Sequence, residues 1–451
     1  MSTPLIATSG TLRPLLRLAL PVLAEHSLHL LVIFSDTVLA GRYFGTEELA
    51  AMNVIFYTVW FLENLFGLVA IGSTALIARF VGAGDWNTAR RTVNQSFLTG
   101  AVLALVLTGG GVLLIDDFVS AMQLSGRSAQ MASEYLLLVI LVLPAIMVES
   151  IAVSCLRGAG DTVSGLIVMS IVVAVNLLVS WSLIAGWGPL PEMGFFGLAI
   201  GTATAHVTGG VLLLALLLRG RAGLRLKLRS LRPDMPLIRR LLRVGVPGGA
   251  DVILIVVCHL AYMATINALG DLQAAAHGVA VKIEALAFLP GAAFQVAAAT
   301  LAGQYLGAGD HAKATRSVLL SLAIGGAGMT AMGVVFFVAA TPLSEMFLGV
   351  NNPEVVGAAA PLLRIVSISM PALAMAMILG GALRGAGDTR VPMLLNLIGY
   401  LGVRLPGAYL LAHTWGLGVE GAWIAMVVDI YVRCGLILWR FLHGGWKRIK
   451  V

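Results

Sequence analysis

Leu156-Arg157-Gly158-Ala159-Gly160-Asp161-Thr162 recurs letter for letter as Leu383-Arg384-Gly385-Ala386-Gly387-Asp388-Thr389, 227 positions on (157 to 384). Each copy lies between long apolar runs. Each carries helix-stop chemistry: a glycine pair that accepts left-handed backbone, then Asp-Thr, which can cap the next helix. The spacing is about half of the 451-residue chain. Shorter correspondences keep nearly the same offset, 225, 226 and 224 positions in the order given. Gly82-Ala83-Gly84-Asp85 matches Gly307-Ala308-Gly309-Asp310, Leu20-Pro21-Val22 aligns with Val246-Pro247-Gly248, and Gly197-Leu198-Ala199-Ile200 parallels Gly421-Ala422-Trp423-Ile424. The chain therefore reads as two copies of one unit.

The solvent of that unit follows from composition. The chain is 59% hydrophobic and 11% charged, with mean hydropathy +0.95, whereas a soluble domain carries about 25% charged residues. Too few charges remain for a polar coat in water, so lipid must be the main solvent. The 52 glycines suit closely packed membrane helices. Cys155, Cys258 and Cys434 are odd in number and far apart, which points to neither a disulfide framework nor a metal site. Arg13 and Arg17 directly precede the first apolar run, which is expected to remain as a span rather than be cleaved as a signal.

A span needs about 20 apolar residues. Twelve runs qualify: 15–40, 52–78, 93–115, 133–156, 163–186, 195–218, 240–268, 274–302, 315–339, 358–383, 391–413 and 419–442. Pro144, Pro290, Pro371 and Pro406 inside them are candidate kinks. With a cytoplasmic N-terminus, most Lys and Arg fall on the inner side, while the outer loops hold mainly acids such as Asp116, Asp117 and Asp271. The positive-inside rule then places both termini in the cytoplasm, which agrees with an even number of spans. The expected architecture is an all-α membrane protein of two pseudo-symmetric six-helix lobes. Residues 1–218 form the N-terminal lobe, 219–243 a basic cytoplasmic linker and 244–451 the C-terminal lobe. Six is even, so the halves cross in the same sense, as parallel repeats about an axis along the membrane normal, an arrangement suited to alternating access. The linker could lie on anionic headgroups or simply be a solvated connection. The net charge of +7 does not indicate nucleic acid, because no aromatic platform accompanies the basic residues.

Several motifs, in order and partly doubled, resemble the multidrug and toxic compound extrusion (MATE) family. They are Leu20-Pro21, Asp36-Thr37-Val38-Leu39-Ala40-Gly41-Arg42, Gly82-Ala83-Gly84-Asp85, Gln304-Tyr305-Leu306-Gly307-Ala308-Gly309-Asp310, both heptapeptides, and Arg404-Leu405-Pro406-Gly407-Ala408-Tyr409-Leu410. The resemblance implies twelve helices in two lobes. It also implies efflux of cationic or amphipathic organic compounds against an inward flow of protons or sodium, with no further cofactor. A bacterial cytoplasmic membrane and a monomer, with small organic cations and the bilayer as partners, complete the expectation. In proton-coupled members the aspartate of the D-T motif titrates, which makes Asp36 the leading coupling acid.

An acid inside a membrane costs about 2.5–3.5 kcal/mol on insertion scales and asks for a reason. Glu25 and Asp251 each follow a proline by four residues, so the repeat puts two carboxylates at equivalent points. They are coupling candidates beside Asp36, or acceptors for backbone groups freed by the kinks. His26 and His29 could partner Glu25. Glu63 and Asn64, Glu149, Asn176 and Glu284 are further intramembrane polar groups, with Glu284 expected to be paired structurally. The family's N-x-x-x-D in span 5 stands here as Asn176 and Ser180, so a second proton-network acid is missing there. Arg157, Asp161, Arg384 and Asp388 are assigned to structure, at helix ends where they complement dipoles. No G-K-[ST] loop, H-E-x-x-H or serine elbow appears, which argues against ATP driving and against an enzyme. A lipid or polysaccharide-precursor flippase of the same architecture is the alternative, and a channel or scaffold is a more distant one.

Overall fold

The computed structural model describes residues 10–122, 126–187, 191–227, 231–348 and 352–449, with the side chains of 33–42, 46, 47, 49, 50 and 53 outside that description. Helices account for nearly all of it. In the first half these are α1 (Leu12–Tyr43), α2 (Thr46–Leu65), α3 (Gly67–Gly82), α4 (Trp86–Ala121), α5 (Gly126–Leu141), α6 (Leu143–Ala159), α7 (Val163–Ala185) and α8 (Phe195–Arg219). In the second they are α9 (Met235–Asn267), α10 (Asp271–Gly307), α11 (His311–Val338), the short α12 (Ala340–Leu348), α13 (Pro353–Gly385), α14 (Arg390–Leu397), α15 (Leu405–Tyr409) and α16 (Gly418–His443). Among the described residues, 11 helices are long and apolar enough to cross a membrane, or 12 with the bent pair α5–α6 counted as one span. At 1.5 Å per residue the 36 residues of α4 reach about 54 Å, well past a hydrocarbon core of about 30 Å.

The duplication holds at the level of single hydrogen bonds. Gly160 ends α6 at φ 92°, and Gly387 follows α13 at φ 90°. The amides of Asp161 and Asp388 return to the carbonyls of Leu156 and Leu383, both at 2.8 Å, as in a Schellman closure. Asp85 and Asp310 cap α4 and α11 by accepting from the amides of Thr88 (3.0 Å) and Lys313 (2.9 Å). The heptapeptide is therefore a stop signal used once in each half, and in the first half its Asp161 also caps the next helix by accepting from the Ser164 amide at 3.0 Å.

Three spans differ from a plain rod. The apolar run 52–78 belongs to α2 and α3, which are interrupted at Phe66. The run 133–156 is broken by 52° between α5 and α6, with Pro144 in the first turn after the break. Pro144 has no N–H to continue the ladder, so the kink falls where that bond would have been. The run 391–413 contains two π-helical stretches, Ile398–Arg404 and Leu410–Thr414, flanking α15 and its Pro406. Such widened turns recur at functional positions.

The chain forms two compact units, and the cut falls just past the two equivalent prolines. One unit is Ala24–Gly249, and the other combines the chain through Leu23 with everything from Ala250 onward. The start of α1 thus packs in the second unit, where Leu15, Leu18 and Ala19 share a core with Phe294, Leu301 and Leu379. The start of α9 packs in the first, where a Cβ on Gly245 would fall 1.9 Å from the Leu68 carbonyl oxygen. The second unit has a further core of Tyr262, Met370 and Trp423 around α10, α13 and α16.

The described part of the basic linker is docked on the first unit. Leu224 and Leu226 are buried. The Lys227 amide donates to Asn94 (3.1 Å), Arg91 pairs with Asp234, and Gln95 bonds the Arg232 carbonyl and the Asp234 amide.

Hydrogen bonds from the Thr88 hydroxyl and amide hold the Asp85 carboxyl below the usual aspartate range, and the Lys313 amide does the same for Asp310. A lowered native pKa stabilises the fold above the ordinary aspartate pKa, and this contribution fades as pH falls through the native value. Asp85→Ala and Asp310→Ala should each lower stability by about 1 kcal/mol, read as the unfolding midpoint in detergent at neutral pH, with Asn at either position retaining most of it.

Candidate functional site

The charged groups inside the spans fall into two kinds: pairs that occur in both units and clusters that occur in only one. The first kind joins residues that the sequence separates into different roles. In the first unit Glu25 of α1 takes an ion pair from Arg157 at the end of α6, at 3.0 Å. In the second, Asp251 of α9 takes one from Arg384 of α13 at 2.9 Å. Asn396 of α14 also donates to both Asp251 oxygens, at 2.8 and 3.0 Å. The acid one turn past each proline therefore meets the arginine of each repeated heptapeptide. His26 and His29 are not the ion-pair partners of Glu25; that partner is Arg157. The aspartates of the heptapeptides are held by other arginines, Asp161 by Arg221 and Asp388 by Arg440, both at 2.8 Å.

Among the described residues, the first unit alone holds an imidazole between two carboxylates. His206 of α8 bonds Glu149 of α6 through Nδ1 at 2.7 Å, and its Nε2 lies 3.7 Å from Glu63 of α2. Gly209, one turn beyond His206, leaves the room: a Cβ there would stand 1.7 Å from Glu149 Oε1. The break at Phe66, three residues past Glu63, ends α2 beside this cluster. Asn64 is not part of it, because its amide is spent on the Trp60 carbonyl at 2.7 Å. Asn176 lies elsewhere in the unit, donating weakly to Thr202 at 3.4 Å, and Thr202 meets Tyr135 at 3.0 Å. Ser180 is fully buried with its hydroxyl unpartnered. Asp36 lies in α1, and its side chain is outside the described residues.

Among the described residues, the second unit alone holds a guanidinium cluster. Asp429 of α16, 0% exposed, accepts from Arg404 Nε (2.9 Å), Arg433 Nε (2.9 Å) and Arg433 Nη2 (2.9 Å). Both guanidiniums lie over the Tyr400 ring, at 4.9 and 4.3 Å, which adds a cation–π contact to each. Gly399 admits them: a Cβ there would meet Arg433 Cγ at 2.3 Å and Asp429 Oδ1 at 2.4 Å. Glu284 of α10 is buried, and no ion pair or hydrogen bond joins it to Lys282 or to any other described residue. The expected structural pairing of Glu284 is therefore absent: Lys282 and Glu284 stand two residues apart and do not share a helix face.

His206, Asn396, Asp429 and Arg433 had not been singled out from the sequence. The signal for the last two was present, since Asp429 and Arg433 are an i,i+4 pair of opposite charge inside an apolar run. His206 and its two partners come from three separate helices, which no local spacing reveals.

The family model described as MatE matches residues 21–182 and 247–410, one match per repeat. A probable multidrug resistance protein NorM of Thermotoga maritima is 28% identical over 443 residues, covering 97% of this chain and 94% of that protein. A multidrug resistance protein NorM of Burkholderia vietnamiensis is 30% identical over 437 residues, covering 94% and 92%. Among solved structures, a crystal structure of MATE in complex with MaL6 superposes with TM-score 0.92 at 20% identity over 100% of both chains. An outward-facing multidrug resistance MATE family transporter of the MOP superfamily gives TM-score 0.90 at 20% identity over 97% of each.

A buried ion pair that loses one partner leaves an uncompensated charge, at a cost of about 3–5 kcal/mol. Arg384→Met should therefore strongly destabilise the protein, and adding Asp251→Leu should restore most of the loss. Unfolding midpoints of the two single variants and the double variant in detergent check this, and simple additivity of the losses would contradict it.

Proposed function

The chain belongs to the MatE family and is a transporter, not an enzyme, and from that premise we propose that it expels cationic and amphipathic organic compounds by proton-coupled antiport with alternating access. The relatives named as multidrug resistance proteins support the substrate class, and the many apolar helices support a multi-pass protein. The reading places both termini in the cytoplasm of a bacterial inner membrane and takes the monomer as the working unit.

The Glu63–His206–Glu149 cluster carries the proposal. Two carboxylates and one imidazolium sum to one negative charge, held among apolar helices. An organic cation or one more proton brings that sum to zero, and both together would leave a positive charge in the same low-dielectric place. The costs of burying either uncompensated state make proton and cation alternatives rather than companions. That exclusion is the requirement for antiport. His206 holds the two carboxylates as imidazolium, and the exchangeable proton rides on Glu149 or Glu63. In this one-for-one exchange the outgoing cation offsets the charge of the incoming proton, so the pH difference and not the membrane potential drives the cycle.

Glu25 and Asp251 serve in this reading as the fixed partners of Arg157 and Arg384, and Asp36 is a second proton carrier on α1. In everted vesicles an imposed inside-acid pH gradient should drive uptake of a fluorescent organic cation, and a sodium gradient of equal size should not. His206→Gln and Glu149→Gln should each slow that uptake at least about tenfold, the scale of a lost general acid–base group. Uptake that follows sodium, or that is indifferent to both gradients, would overturn proton coupling. Unchanged uptake in both variants with loss only in Asp36→Asn would move the site to α1.

A further inference from the structure

The first helix of each repeat opens on the same exposed stripe. On α1, Arg13 and Arg17 stand one turn apart, and Leu20 follows on the same face. On α9, Arg239, Arg243 and Val246 occupy the positions 226 further on (13 to 239, 17 to 243, 20 to 246). All four arginines are exposed, and so are Leu20 at 55% and Val246 at 46%. The neighbouring faces are packed inside their own units. Leu15, Leu18 and Ala19 are 0% exposed, and Leu237, Leu241 and Val244 are 5% exposed or less. That packing fixes each stripe as the outward side of its helix.

Neither stripe is explained by the helix that carries it. Like charges one turn apart on a helix repel, and cations near a helix start oppose its dipole. The first turn of α1 has no acid to offset them. The acid that directly precedes α9, Asp234, is already spent on Arg91 and on the Leu237 amide. Arg13, Arg239 and Arg243 form no ion pair or hydrogen bond with any described residue. Full hydration does not explain the stripes either, because Leu20 and Val246 lie about 4.5 Å further along the helix axis and are apolar and bare. A guanidinium pair followed at once by an exposed apolar side chain matches the boundary between headgroups and acyl chains.

We propose that each stripe is a seat for one anionic phospholipid of the surrounding leaflet. The two guanidiniums hold the phosphate from successive turns, in charge-assisted bonds that suit phosphate geometry. The acyl chain runs along Leu20 in one seat and Val246 in the other. The bound anion removes the repulsion within each arginine pair. A zwitterionic headgroup carries its own ammonium beside the phosphate, so it offsets less of that repulsion. Because the stripe occupies the same repeat position in both units, each chain has two seats. They set the depth at which the first helix of each repeat enters the bilayer. The inference does not depend on which ion or compound the protein exchanges.

The test uses the full-length protein in detergent, titrated with phosphatidylglycerol or with phosphatidylcholine of identical acyl chains. Bound lipids are counted by native mass spectrometry. Two phosphatidylglycerol molecules should bind at least about tenfold more tightly than phosphatidylcholine, the scale of two arginines at a charged surface. Arg239→Gln with Arg243→Gln should remove that preference at one seat, and adding Arg13→Gln with Arg17→Gln should remove it at both. Lysine at the same four positions should retain most of it. Glycerol phosphate without acyl chains should fail to displace the lipid at equal concentration. Should the glutamine variants not fold, the unsubstituted protein decides. Raising salt from about 0.1 to about 1 M shortens the screening length from about 10 to about 3 Å, and should bring phosphatidylglycerol affinity down to that of phosphatidylcholine. Equal binding of the two lipids, a preference that survives the fourfold glutamine variant or high salt, or displacement of the lipid by glycerol phosphate would overturn the seats.

Discussion

A charge buried among apolar helices must find its opposite, and this constraint orders the whole molecule. Glu25 and Asp251 sit one turn past prolines in helices that have to cross lipid. Each is answered by the arginine of a repeated heptapeptide, at 3.0 and 2.9 Å. The same heptapeptide closes one helix with a left-handed glycine and holds its aspartate for a further arginine. One short motif thus ends a helix and ties it by its arginine to the proline-bearing first helix of its repeat. Because the chain was duplicated, the tie exists twice.

Against that symmetric frame, the unmatched charges gain meaning. The repeat position of Glu149 holds Ala376, and that of Glu284 holds Thr58. The acid–imidazole cluster therefore belongs to one unit and the guanidinium cluster to the other. What the duplication preserved is what the fold needs, and what it did not preserve is where the two units differ in chemistry. One unit carries a net negative cluster suited to trading a proton for a cation. The other carries both signs, with two guanidiniums sharing Asp429 and the Glu284 carboxylate unpaired.

Much of the fold was legible because its causes are local. The apolar runs, the kink at Pro144 and the glycine-aspartate stops all follow from residues within a turn or two of one another. The π-helical widening before Arg404 and the short α12 were not legible, because tertiary packing decides them. The site was half legible. Acids in apolar runs announce themselves, so Glu25, Glu63, Glu149, Asp251 and Glu284 stood out. Their partners did not, because Arg157 and Arg384 looked complete as helix-end residues and nothing local singled out His206. Glu284 was read as paired because pairing is the usual fate of such a residue, and no hydrogen bond or ion pair joins it to a described residue. The family resemblance drew attention to Asp36, while the described side chains draw it to α6 and α8.

The central claim is that proton and organic cation compete for one negative charge shared by Glu63, His206 and Glu149. Binding of a permanent organic cation to the solubilised protein in weak buffer near neutral pH reports on this without any membrane gradient. Reciprocal linkage requires that a cation which displaces a proton release it, close to one per ligand bound, and that affinity fall as pH falls. The account predicts that release, and its loss in Glu149→Gln. Saturable binding with no proton released, or release undiminished in that variant, would contradict it.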